Sequence, residues 1–416
     1  MGQKDELFAV KTLEEAFSML KPYAEPFFNR RETVPLLESL GRLISVDIPA
    51  PAPLPHFRKS TVDGLAVRAA DTFGAGESLP SLVQVHGEIH MGQAPAGEIA
   101  RGQGMLIPTG GMLPDGADAV VMVEHLDDFG GGLYGVTRPV APGENLIDIG
   151  EDLEAGEIIL KRFTKIRPQE MGLLAALGIA EVPVIQRLKV GILSTGDEII
   201  SPESNPLPAQ TRDINGYTLY GQAQAAGAVV KYYGIVGDDA AVMRVRLETM
   251  LEENDLVLLS GGSSVGARDF TAQLIDELGE PGLLFHGLAL RPGKPTIGGV
   301  VRGKLIFGLP GHPASAMVVF AGMIEPWLSG SWLRQESRPW PESVLSQNLH
   351  SGSGRDEFVR VRLNERDGEW IAEPVRGKSG LIRTMVLADA LVHVPLEVEG
   401  IQAGERVKIQ LLRWNS

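Results

Sequence analysis

The sequence predicts a multidomain protein of α/β plus β class. A doubly wound α/β domain is joined to a Gly/Pro-rich β domain, an α+β N-terminal domain and a C-terminal β barrel or sandwich. Three observations lead there. Residues 187–330 alternate apolar strand-like runs (KVGIL, VVKYYGIV, DLVLL, LLFHGLAL, KLIFG) with helical patterns near 214–226, 240–253, 270–278 and 313–328. Residues 58–148 instead give short apolar runs such as MLIPT and AVVMVE, separated by turn signals such as GGMLPDGAD and FGGGLYG. Beyond 331 the strand-like runs EFVRVRL, EWIAEPV, ALVHVPL and ERVKIQLL return.

In chain order, a helix is expected over 12–22. Thr12 and Glu15 form a capping-box pattern, and Leu13, Ala16, Phe17 and Leu20 form the apolar stripe. Residues 32–48 read as short strands around Gly41, and IPAPAPLPHF (49–57) as an extended connector. A second helix begins at Pro168 and ends at Gly178, with proline in its first turn. This stretch can pack back on the first helix, which makes the β region an insertion. The expected domains are 1–50 with 149–186, 51–148, 187–330 and 331–416.

Composition narrows the function. A chain of 416 residues with net charge −15 lacks the basic surface that nucleic acid demands, yet a local field can still bind a small anion. No apolar stretch is long enough to span a membrane and the N-terminus has no signal-peptide core, so a cytoplasmic enzyme is expected. Cysteine is absent, which removes disulfides, thiolate catalysis and zinc–thiolate sites. Drift explains that simply; an enzyme passing a metal to thiolates on its substrate would also gain by having no competing thiols.

Four loops carry the chemistry. Ser194–Glu198, Ser260–Gly266, Arg291–Pro295 and Leu309–Ser315 each follow an apolar run. Continuous apolar strands imply a parallel sheet buried on both faces, and such sheets bind ligands at the carboxyl ends of their strands. Glycine admits backbone N–H groups to an anion, hydroxyls add donors, and Arg291 and Lys294 add charge. Glu198 and Asp269 exceed what an anion site needs and suit a hard cation bridging the ligand's oxygens. Asp238, in Gly237-Asp238-Asp239, offers another carboxylate at the same edge. Capping competes with ligation for Asp197, Asp269, Asp238 and His312, with Asp197 read as structural. Taken alone, Lys59–Gly64 and Pro108–Gly111 read as turns.

These residues resemble the molybdopterin molybdenumtransferase family, the bacterial MoeA type and the E domain of gephyrin. The pattern runs through STVDGLAV (60–67), PTGGMLPDGADAVV (108–121), GEDL (150–153), STGDEI (194–199), SGGSSVGARDFT (260–271), LRPGKP (290–295), GLPGHPAS (308–315), EFVRV (357–361) and GKSG (377–380). The resemblance implies an elongated N-terminal linker and dimerisation domain, a molybdopterin-binding α/β domain, a C-terminal barrel, and an L-shaped homodimer with the active site across its interface. It implies Mg²⁺-dependent insertion of molybdenum, supplied as molybdate, into adenylated molybdopterin with release of AMP. It assigns Asp269, Asp238 and Glu198 to Mg²⁺ and the phosphates, and Ser264 to the nucleotide. Arg291, Lys294, Pro310, His312, Pro313 and Ser315 would surround molybdate, with Arg360 and Ser379 closing the pocket. Asp63 and Thr109 would reach across the dimer, with Asp152 near them.

The chain departs from the family at Leu146–Ile149, where members often carry basic residues, at Gly287, where some carry a lysine, and at His312, where asparagine is common. Molybdopterin adenylyltransferase activity, a tungstate preference, a pyrophosphatase or amidase, and a non-catalytic pterin-nucleotide carrier are the rival expectations. Expected partners are a second copy, the molybdopterin adenylyltransferase and the acceptor molybdoenzymes.

Overall fold

A computed structural model describes residues 10–261, 265–333, 341–352 and 354–412, with only the backbone for 265–269. The first helix spans Leu13–Ala24. Thr12 Oγ1 accepts from Glu15 N (3.1 Å) and Glu15 Oε2 from Thr12 N (2.9 Å), the reciprocal pair the sequence predicts. Its buried face carries Ala16, Leu20 and Ala24, and Phe17 stacks on Trp327 with ring centroids 3.7 Å apart. Strand Arg31–Pro35 pairs antiparallel with Glu181–Ile185, and Ile48–Pro49 with Ile158–Leu160. Between these pairings lies a six-stranded β sheet over 64–136, in the order 119–122, 64–67, 103–107, 81–88, 133–136, 126–128.

The central sheet comprises β1 (Lys189–Thr195), β2 (Val229–Val236), β3 (Leu256–Gly261), β4 (Pro281–His286), β5 (Ile297–Val301) and β6 (Lys304–Leu309). Its order is β2-β1-β3-β6-β5-β4. Side chains alternate between its two faces. Val190, Ile192, Leu256 and Leu258 pack with Leu219 and Ala223, whereas Leu193, Val257 and Leu259 pack with Met243, Leu247 and Ile275. Helices Asn215–Ala225 and Pro313–Val319 cover one face, and Ala240–Glu253 and Val265–Leu278 the other.

Three expectations change. The sheet is parallel through β2, β1, β3 and β6, but β5 is antiparallel to both β6 and β4. Strand 297–301 is not among the strands expected from the sequence. A Cβ at Gly298 would lie 2.2 Å from the Phe285 ring and one at Gly299 2.5 Å from Gly282 O, so glycine here permits close strand approach. Second, the run LLFHGLAL divides: β4 ends at His286, and Leu290–Arg291 pairs with the C-terminal domain. Third, the helix expected from 270 begins at Val265, which places Asp269 within the helix instead of at its cap.

The C-terminal domain is a closed barrel. Its strands follow one another as 356–366, 369–374, 342–345, 406–411 and 390–394, the last pairing back to the first. Leu290–Arg291 adds to strand 356–366 in parallel, with Arg291 opposite Glu357. One apolar cluster runs from the first helix (Leu20) through the sheet (Phe307) to the barrel (Phe358, Leu391). The site therefore rests on three packed elements and not on a loose hinge. Among the described residues no helix is long and apolar enough to cross a membrane.

Candidate functional site

The loops after β1, β2, β3, β4 and β6 gather at the carboxyl edge of the sheet, facing the barrel. A cleft of about 1100 Å³ opens there, lined by Arg291, Lys294, Pro310, His312, Ser315, Arg360 and Ser379. Seven residues predicted from four separate motifs thus share one cavity. Gly293 makes the turn between Arg291 and Lys294 possible: its φ is +134°, and a Cβ would meet Val319 Cγ2 at 2.5 Å. Thr296 Oγ1 fixes that turn by donating to Gly293 O (2.7 Å).

Each cation is held differently. Arg291 pairs with Glu357 Oε2 at 3.4 Å, and Ser351 Oγ donates to the same oxygen at 2.9 Å. Arg360 donates Nη1 to Thr384 Oγ1 (2.6 Å) and Nη2 to Gly377 O (2.8 Å), and burial lowers the pKa of its guanidinium below the ordinary value. Thr384 Oγ1 in turn donates to Leu381 O (2.7 Å), so one buried hydroxyl ties Arg360 to the loop that carries Ser379. Ser379 Oγ lies 2.9 Å from His312 Nδ1, and Ser379 O accepts from Ala314 N (3.1 Å). His312 occupies the N-cap position of helix 313–319 without a side-chain cap bond; its ring joins the barrel instead. Pro313 follows it in the helix's first turn and faces an adjoining pocket.

The carboxylates sort by geometry. Asp239 caps helix 240–253, accepting from Ala241 N (2.9 Å) and Val242 N (3.1 Å). That leaves Asp238 outside the cap. Asp197 is structural as expected, though not as a helix cap: its Oδ1 accepts from Asp238 N at 3.0 Å and joins two site loops. Burial, and then the charges of Asp197 and Glu198, raise the Asp238 carboxyl above its ordinary value. A divalent cation would relieve that crowding, and carboxylates are the donors a hard cation such as Mg²⁺ takes. Among the described residues no three candidate ligands already stand together at metal-binding spacing. The side chain of Asp269, and Ser264 altogether, lie outside the described residues.

Asp63 and Thr109 meet as a pair on the β domain. Asp63 Oδ1 accepts from Thr109 N (2.7 Å) and Thr109 Oγ1 (3.0 Å), and both residues are exposed. Asp152 stands in the turn whose backbone N–H donates to Leu54 O (3.1 Å). None of the three lines the cleft of its own chain. Gly287 has φ +109°, a backbone that disfavours lysine. Arg355 and Lys378, which motif reading passed over, add positive charge to the same cleft.

Sequence reasoning also missed a second cavity. A pocket of about 220 Å³ lies beside the cleft, lined by Glu198, Asn215 and Ser260 among others, with Gly261, Gly311 and His312 common to both. Asn215 Oδ1 and Ser260 Oγ are buried and have no hydrogen-bond partner among the described residues. The polar start of helix 215–225 was the available signal for Asn215.

Three family models match successive parts of the chain. Residues 11–178 match the family described as MoeA N-terminal region (domain I and II). Residues 191–330 match a probable molybdopterin binding domain, and 342–412 the MoeA C-terminal region (domain IV). A protein of Methanocaldococcus jannaschii named for molybdopterin biosynthesis is 36% identical, with 98% of each chain covered. The molybdopterin molybdenumtransferase of Bacillus subtilis is 33% identical over 92% of this chain and 90% of its own. The crystal structure of a molybdopterin biosynthesis MoeA protein from Pyrococcus horikoshii OT3 superposes with TM-score 0.81 at 31% identity, covering 97% of this chain and 100% of that one. On the fold, the shared cleft and these matches, the chain belongs to the molybdopterin molybdenumtransferase family, enzymes of molybdenum cofactor biosynthesis.

Proposed function

We propose that the chain inserts molybdenum from molybdate into adenylated molybdopterin and releases AMP. The observation that carries this reading is the convergence of Arg291, Lys294, Arg360 and the His312–Ser379 pair on one cleft. An oxyanion of charge −2 there meets fixed cations and hydroxyl donors in a partly enclosed space, where charge interactions are stronger than in water. Lys294 and Arg360 hold the oxyanion, Ser379 donates to it under the control of His312, and Pro310 and Ser315 shape the floor.

Glu198, Asp238 and Asp269 would hold Mg²⁺, which when bound neutralises phosphate oxygens of the substrate. The start of helix 265–278 would offer backbone N–H groups to the phosphates. AMP leaves, and the pterin dithiolene keeps the metal. A second copy would bring its Asp63, Thr109 and Asp152 to this edge, in accord with the exposure of the Asp63–Thr109 pair.

The test is AMP release from adenylated molybdopterin and Mg²⁺ with molybdate, with tungstate and with neither. Release that depends on an oxyanion supports insertion, and the ratio of the two rates sets the metal preference. Equal release in all three arms would mean a plain pyrophosphatase. Tight binding without release would mean a carrier.

Thr384 is a positioning residue in this scheme. Thr384→Val keeps its shape and the packing of its methyl against the Gly377 backbone but removes the hydroxyl that anchors Arg360. Molybdate affinity is expected to fall about five- to tenfold, with recovery in Thr384→Ser. Equal molybdate titrations for Thr384→Val and the wild type would remove Thr384 from the site.

A further inference from the structure

One member of the cleft can change its charge near neutral pH. His312 is exposed on the loop between β6 and helix 313–319, where it borders both the cleft and the smaller pocket. Among the described residues that line these two cavities it is the only imidazole. Imidazole is the side chain that ordinarily changes charge between about pH 5 and pH 8. The charged groups facing it from the cleft are Arg291, Lys294, Arg355, Arg360 and Lys378, with Glu357. From the pocket they are Glu198, Arg212 and Asp213. Ammonium, guanidinium and carboxylate groups ordinarily keep their charge across that range.

The ring reaches the anion site through Ser379, whose Oγ lies 2.9 Å from His312 Nδ1. The backbone that carries this hydroxyl is held on both sides. Ser379 O accepts from Ala314 N (3.1 Å), Gly377 O from Arg360 Nη2 (2.8 Å) and Lys378 O from Leu381 N (3.0 Å). The oxygen is therefore fixed, and what can turn is its hydrogen. A neutral ring with a bare Nδ1 takes that hydrogen, so Ser379 Oγ is left with lone pairs for the cleft, which repel an oxyanion. A protonated ring instead donates from Nδ1 to Oγ. The hydroxyl hydrogen is then free for the anion, and the positive ring adds its own attraction. A neutral ring with its hydrogen on Nδ1 also frees the hydroxyl but brings no charge. Against either neutral form protonation favours the anion, and by linkage the anion favours protonation.

We propose that His312 is a positioning residue that couples oxyanion binding to the uptake of a proton, by turning the Ser379 hydroxyl toward the anion. The assignment rests on the function proposed above. A bound anion raises the imidazole value, so affinity is greatest below the free value and is lost as pH rises through the bound one. Molybdate affinity is expected to fall about tenfold from about pH 6.5 to about pH 8.5, the fold-change of a one-unit rise. Calorimetric titration of the full-length protein with molybdate, in two buffers of different ionisation heat, counts the protons and needs no variant. About half a proton per molybdate is expected near pH 7, and none would overturn the proposal. His312→Asn puts an uncharged amide near the place of Nδ1 and should show one affinity across the range. An undiminished slope in that variant would give the proton to another group. Ser379→Ala should weaken molybdate about fivefold near pH 6.5 but less than about twofold near pH 8.5, because the hydroxyl serves the anion only when the ring frees its hydrogen. Equal weakening at both would show that the ring does not turn the hydroxyl. Oxyanion-dependent AMP release in the same wild-type preparation reports the function separately. Molybdate binding and release without proton uptake sink this inference alone, whereas absence of both binding and release sinks the broader reading with it.

Discussion

Alanine at Lys294 is expected to lower molybdate-dependent AMP release by about two to three orders of magnitude, with an unchanged thermal midpoint. The reason lies in how the three predicted cations are bound. Arg291 shares its charge with Glu357, and Arg360 is already bonded to Thr384 and Gly377. Lys294 forms no ion pair among the described residues, so its charge is the least compensated of the three. Its removal takes nothing from the fold but withdraws a cation from a partly enclosed anion site. Lys294→Arg should recover only part of the rate, because a planar fork cannot replace a compact ammonium in a shaped pocket. Molybdate titration and AMP release together check this. Release within threefold of wild type would place the oxyanion elsewhere in the cleft.

How much of this was legible in the sequence depends on where each signal resides. The first helix could be read from Thr12, Glu15 and its apolar stripe because these are local patterns. The four site loops could be read because their glycines and prolines mark unusual backbone. Strand 297–301 could not, since its two glycines are explained only by the Phe285 ring and Gly282 backbone lying against them. The start of helix 265–278 was placed late because a Ser/Gly run reads as turn. Among the acids, sequence could not separate a cap from a ligand. Geometry does so, giving the cap to Asp239 and the loop tie to Asp197. Thr384, Glu357 and Asn215 sit on regular elements with ordinary local sequence, and their importance arises only when distant segments meet. The same is true of the pairing between Leu290–Arg291 and the barrel, which no local pattern announces.

The largest stability effect is expected at Asp255, at the opposite end of β3 from the site. Its carboxylate accepts from Arg30 Nη1 and Nη2 at 2.8 Å each and from Lys189 N at 2.8 Å, with Lys304 Nζ 3.6 Å away. Its side chain is 4% exposed, and Arg30 follows the turn that ends the first helix, so this pair clamps the N-terminal segment to the central sheet. Burial alone would raise the carboxyl pKa, but Arg30, the Lys189 N–H and Lys304 outweigh it and hold it below the ordinary value. Asp255→Asn keeps the shape and leaves Arg30 without its counter-charge. Loss of one partner of a buried ion pair costs about 3–5 kcal/mol, and half-exposed Arg30 argues for the lower end. The pH dependence follows from the direction of the shift. A depressed folded-state pKa gives stability that is complete above the unfolded value near ~3.9 and is lost as pH falls through the folded value. Denaturant unfolding of wild type and Asp255→Asn should therefore differ by a constant amount from pH 6 to 8, with the gap closing below about pH 4. A gap under about 1 kcal/mol at pH 7, or one that persists unchanged into strong acid, would show that hydrogen-bond geometry and not charge holds the clamp. Because the clamp lies about 20 Å along the strand from the site, the folded variant should keep its molybdate affinity, which separates this stabilising role from the chemistry at the other end.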